Sequence, residues 1–102
     1  MSKKPGTSSS ATRTLRVLIA LKGYTMTGLS NGELAKALNV SPANISRDLA
    51  TLVDIGLVIQ LDNGRYAHSI QMLQIATAHA EHMSRMQARM NETTQRIMAG
   101  TR

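Results

Sequence analysis

From Ser69 to Ala99 the chain contains neither proline nor glycine. Within that stretch Leu73, Ala76, Ala80, Met83, Gln87, Met90, Thr94 and Ile97 follow one another at alternating spacings of three and four, which is a heptad seam. About thirty residues of helix extend roughly 45 Å at 1.5 Å per residue. The rest of a 102-residue chain forms no domain large enough to bury a rod of that length along one face. The seam therefore expects a partner, most simply the same helix from a second copy, as a homodimer or a higher homo-oligomer. Gln87 and Thr94 interrupt it and charges at the flanking positions are sparse, so both a pair and a bundle fit the pattern. Residues 69–99 are read as a long amphipathic dimerisation helix and 100–102 as a tail.

Everything upstream must supply the globular part. Hydrophobic residues make up 42% of the chain and charged ones 18%, without Phe, Trp or Cys and with two Tyr. A core built from Leu, Ile, Val, Met and Ala favours packed helices. The lack of cysteine excludes a disulfide scaffold, a thiol nucleophile and a cysteine zinc site. No apolar run reaches the length of a membrane span, and the basic N-terminus lacks the apolar stretch of a signal peptide. A cytoplasmic location is the default expectation. Lys3, Lys4, Pro5 and Gly6, followed by Thr7 to Ser10, read as a flexible basic arm over residues 1–10.

Three helix patterns follow. Leu15, Leu18, Ile19 and the Lys22 stem recur at helical spacing, joined by Val17 and Leu21, over about residues 12–22, with Gly23 as the stop. The other face of this helix offers Arg13 and Arg16. Ser30-Asn31-Gly32-Glu33 fits a capping box, and Leu29 and Leu34 fit the staple that accompanies it. That second helix ends at Asn39 after barely two turns, too short to persist without neighbours. Ser41 is a suitable N-cap with Pro42 at the first helical position. Ile45, Leu49, Leu52 and Val53 then share a face until Gly56. The opposite face carries Ala43, Asn44, Ser46, Arg47 and Ala50, small or polar around one central cation. Two short helices joined tightly, the second with such a face, form the helix-turn-helix pattern.

After Gly56 the period changes to two. Leu57 to Leu61 and Arg65 to His68 read as short strands around Asp62-Asn63-Gly64, where Asn63 and Gly64 both tolerate positive φ. The order helix, helix, helix, hairpin makes residues 11–68 a winged helix-turn-helix domain. The expected fold is mainly α with a small β-hairpin, followed by a long C-terminal helix.

Charge points the same way. Twelve Lys and Arg against six Asp and Glu give +6, and the pI is near 10.6. Such a balance suits a polyanionic partner, most often nucleic acid. Residues 1–68 carry +4 of that charge and 69–102 carry +2, with no dense basic run in either, so function depends on where the cations sit.

From about Ser10 to Leu73 the chain resembles the IclR-type winged helix domain of bacterial transcription regulators. The resemblance rests on Arg13-Thr14-Leu15-Arg16-Val17-Leu18, Leu29-Ser30-Asn31-Gly32-Glu33-Leu34-Ala35, Ser46-Arg47-Asp48-Leu49-Ala50-Thr51-Leu52, Gly56-Leu57-Val58 and Gly64-Arg65-Tyr66. It implies DNA binding as a dimer, with Arg47 at a matched DNA-contact position. In two places the chain departs from the pattern. Ala67-His68-Ser69 replaces the usual Arg-Leu-Gly, and the chain stops at Arg102, where full-length relatives continue into a ligand-binding domain. No small-molecule effector and no cofactor is therefore expected.

The expected double-stranded DNA contacts are Arg13, Ser41, Pro42, Ala43, Asn44, Ser46, Arg47 and Arg65, with Lys3 and Lys4 tracking phosphates. Asn pairs with adenine and Arg with guanine or phosphate; the N-terminus at Ser41 and Pro42 suits a phosphate; Arg65 beside the hairpin tip suits the minor groove. Each has a competing use: a salt bridge from Arg47 to Asp54, plain capping at Ser41, a solvated wing at Arg65. Tyr66 reads as core. His79 and His82 flank Glu81 one turn apart but lack a third ligand, so no metal site is assigned. No phosphate-binding loop, paired carboxylates or Ser/His/Asp set is present, so no enzyme is expected. The leading function is a sequence-specific dimeric transcriptional regulator, a repressor or autoregulator reading half-sites about 34–36 Å apart. The alternatives are an architectural DNA-binding protein of plasmid, phage or nucleoid type and a protein-interaction adaptor.

Overall fold

Local signals place the helices. In the computed structural model, which describes residues 6–100, α1 (Ser9–Ala20) starts where the Ser8 hydroxyl accepts from the Ala11 amide. The helix therefore begins inside the segment expected to be a flexible arm: a serine cap outweighs the serine-rich composition. Helix α2 (Asn31–Leu38) has the full capping box, with Ser30 accepting from the Glu33 amide and Glu33 from the Ser30 amide. It closes on Asn39 at φ 54°. Helix α3 (Pro42–Asp54) has Ser41 as its N-cap. It ends in a Schellman motif, with Leu57 N–H on Leu52 O and Gly56 N–H on Val53 O.

The strands β1 (Val58–Gln60) and β2 (Tyr66–His68) pair antiparallel, with Ile59 opposite Ala67. Their turn differs from the expected one. Gly64 takes positive φ and Asn63 does not, because the Asn63 side chain is used as an acceptor for the Arg65 amide (3.0 Å). A further pairing extends the hairpin. Leu29 and Tyr66 exchange both backbone bonds, at 2.9 and 2.8 Å, so the residue before the Ser30 cap adds an isolated bridge to the edge of β2. Gly28 makes this possible. It is buried at φ +70°, and a Cβ there would stand 2.9 Å from Tyr66 O and 3.0 Å from Arg65 Cβ, a close approach open only to glycine.

Val17, Leu21, Leu34, Ala35, Ile45, Leu49, Leu52 and Val58 form the core, and Tyr66 packs against it as expected. Burying leucines such as Leu34 is worth about 1.5–3 kcal/mol each, which is what holds an eight-residue α2 in place. Three apolar positions fall elsewhere than periodicity suggested. Leu15 and Ile19 are 54% and 68% exposed, because Val17 and Leu21 occupy the edge of α1 that meets the core. Val53 is 41% exposed, while Asp48 is buried on α3.

Residues 6–72 form one compact unit and 73–100 belong to a second. Helix α4 (Ile70–Gly100) begins at buried Ser69, whose hydroxyl donates to Gly56 O (2.6 Å) and accepts from the Met72 amide (3.1 Å). None of its described residues is buried. No helix among the described residues is long and apolar enough to cross a membrane.

Candidate nucleic-acid interface

The packing of α3 decides which of its side chains are available. Ile45, Asp48, Leu49 and Leu52 face inward, which leaves Ala43, Ser46, Arg47 and Ala50 exposed and Asn44 half-buried. The Ser41 hydroxyl accepts from the Asn44 amide at 3.2 Å, so capping and any phosphate contact would share one oxygen. Arg47 stands at the centre of this face. Its guanidinium makes no ion pair or hydrogen bond among the described residues, and the alternative bridge to Asp54 is not formed.

Arg13 and Arg65, two of the other cations expected at the interface, have ion-pair partners within the chain. Arg13 lies against Asp48, Nε to Oδ2 at 2.7 Å and Nη2 to Oδ1 at 3.0 Å. The Thr14 hydroxyl adds a bond to Oδ1 at 2.8 Å. Asp48 is 2% exposed, and a carboxylate buried there must collect donors of this kind. That hydrogen bond raises the Arg13 pKa further above its ordinary value. Arg13 is thus a strut between α1 and α3 rather than an outward cation. Arg65 is ion-paired with Glu33, and its Nε donates to Gly28 O at 3.3 Å. The wing arginine expected to reach a groove is folded back onto the start of α2. Lys3 and Lys4 lie outside the described residues.

Glu33 consequently has two uses, in the capping box and with Arg65. The Ser30 amide hydrogen bond lowers its pKa most, then the Ser30 hydroxyl, and Arg65 adds to the effect. A carboxyl whose folded pKa is depressed stabilises fully above its unfolded pKa and loses that contribution as pH falls through the folded value. Below the ordinary value of 4.5, the urea midpoint of the wild-type protein is expected to fall more steeply with pH than that of Glu33→Gln, which keeps an N3 acceptor but does not titrate. Parallel pH profiles would contradict this role.

Sequence reasoning passed over Asn31, Asp48 and Gly28. Asn31 Nδ2 donates to Ser46 Oγ at 2.6 Å and to Pro42 O at 3.2 Å, which pins α2 to α3 at the exposed surface. The available signal was an acidic residue at an i+3 position between the buried Ile45 and Leu52, on a helix that otherwise alternates cleanly. Among the described residues no group of His, Asp or Glu is placed to hold a metal ion, and His79 and His82 are exposed.

Three helices with a tight α2–α3 turn and a two-stranded wing define a winged helix-turn-helix domain. The IclR helix-turn-helix domain matches residues 10–62, more than half of the chain, and the chain belongs to that family. Among solved structures it is similar to an IclR family transcriptional regulator from Brucella abortus, at 25% identity and a TM-score of 0.65, covering 78% of this chain and 30% of that one. The Agobacterium tumefaciens repressor BlcR shares the fold at 20% identity and a TM-score of 0.57, covering 72% of this chain and 29% of that one. The chain thus spans about 30% of the length of these structures. No curated protein matches it.

Proposed function

We propose that the chain is a sequence-specific, dimeric DNA-binding transcriptional regulator that acts in the cytoplasm as a repressor by occluding a promoter. The observation that carries this reading is Arg47. It is an exposed guanidinium with no partner among the described residues, set among Ser41, Asn44 and Ser46 on the helix that this fold lays in the major groove. Arginine there binds guanine or phosphate, and Ala43 and Ala50 leave room for the duplex to approach. The net charge of +6 supports attraction to a polyanion.

Dimerisation is assigned to α4 because no described residue covers its seam. Leu73, Met83, Met90 and Ile97 are 38%, 55%, 60% and 61% exposed, and Ala76, Ala80, Gln87 and Thr94 are also exposed. The two polar positions in the seam have local partners: Gln87 bonds Asn91 at 3.1 Å and Thr94 bonds Met90 O at 2.9 Å. Thr94 thus has its hydroxyl proton engaged, and Gln87 has one of its two amide N–H groups engaged.

Selection of bound duplexes from a random library, at physiological salt and with non-specific competitor, tests the reading. Recovery of a repeated half-site is the expected result. Strong retention without any enriched motif would instead support an architectural binder, and no retention an adaptor.

A further inference from the structure

The geometry points to Asn31 as the residue that makes Ser46 a hydrogen-bond donor to DNA, so that Ser46 selects base edges presenting an acceptor. This rests on the DNA-binding reading above and deepens it by naming what one position of the surface recognises. The Pro42 carbonyl oxygen can only accept, so the Asn31 group 3.2 Å from it is the amide nitrogen, which settles the amide orientation. That same nitrogen lies 2.6 Å from Ser46 Oγ. Asn31 therefore donates to the serine, and a lone pair of Oγ is taken.

The Ser46 O–H is left over. It donates to no acceptor among the described residues, and the side chain is exposed on the same face as Arg47. A lone serine reads either kind of base edge, because its hydroxyl donates or accepts with equal ease. With one of its two lone pairs taken by Asn31 and its proton uncommitted, Ser46 is biased toward donating, and so favours the N7 and O6 of guanine, the N7 of adenine or the O4 of thymine over the N4 amine of cytosine. Asn31 is a positioning residue here, placed by the α2 capping box, and it acts through the serine.

The test is a double-mutant cycle read as base preference. Duplex selection is run on the full chain and on Asn31→Ala, Ser46→Ala and the double variant, with melting curves to show that all four fold. The wild-type protein is expected to reject cytosine at one half-site position by about fivefold, the value of one neutral hydrogen bond. Ser46→Ala abolishes that rejection. Asn31→Ala weakens it at the same position only, and has no further effect when Ser46 is already alanine. If Asn31→Ala keeps the wild-type preference, or if its effect adds to that of Ser46→Ala, the inference fails while the regulator reading stands. If the wild-type chain selects no motif at all, both fall. A purely structural Asn31 would shift the melting temperature or overall affinity and leave the base preference at that position unchanged.

Discussion

Asp48→Ala is expected to lower the unfolding free energy by about 1–3 kcal/mol, the cost of losing a buried, hydrogen-bonded carboxylate whose partner Arg13 is left partly exposed. The substitution removes the acceptor for both Arg13 and the Thr14 hydroxyl and opens a gap on the inner face of α3 beside Leu49 and Leu52. Urea denaturation followed by far-ultraviolet circular dichroism measures it, as a lower midpoint with an unchanged slope. A compensated variant separates charge from packing. Arg13→Met combined with Asp48→Leu removes both charges and refills the space, and is expected to recover most of the lost stability. A single substitution that left the midpoint within the few tenths of a kcal/mol typical of surface changes would show that α1 and α3 are held by the apolar core alone. The pair matters for function because Asp48 adjoins Arg47, and the Arg13 strut sets how that helix face is presented.

Arg47→Ala is expected to weaken binding to the selected duplex by about 1–3 kcal/mol while leaving thermal stability unchanged. The second half of that statement follows from the structure: the guanidinium has no partner to lose among the described residues, and the core side chains of α3 lie on its other face. Titration of the selected and a scrambled duplex at several salt concentrations distinguishes two modes of contact. A base contact lowers affinity for the selected duplex alone. A phosphate contact lowers both and reduces the salt slope by about one. Equal affinity of variant and wild type for both duplexes would remove Arg47 from the interface and, with it, the main support for the regulator reading.

Much of the architecture was legible because its causes are local. The Ser30–Glu33 box, the Ser41 cap with Pro42 behind it, the Schellman turn at Gly56 and the asparagine–glycine turn each act over three to five residues, so the residues alone announce them. The change of period at Leu57 separated strands from helices for the same reason. At Ser8 the sequence was equally explicit, yet the serine-rich context obscured a cap. Even the turn type at Asn63 depended on whether its side chain would take the Arg65 amide, a choice that residue preference leaves open.

The interface was less legible, and the residues that moved explain why. Arg13, Arg65 and Arg47 are the same side chain in sequence, each beside small or polar neighbours. Only the fold brings Asp48 to Arg13 across 35 positions, Gly28 to Arg65 across 37 and Asn31 to Ser46 across 15. By itself the sequence determined the helix-turn-helix order, the wing, the long seam of α4 and the excess of positive charge, since each depends on spacing or composition. Tertiary structure decided which of those three arginines has no partner among the described residues, which serine meets Asn31 and which apolar face of α1 is buried. Those outcomes depend on long-range proximity, and the partner that neutralises a charge is chosen by the chain's path through space rather than by the residues next to it.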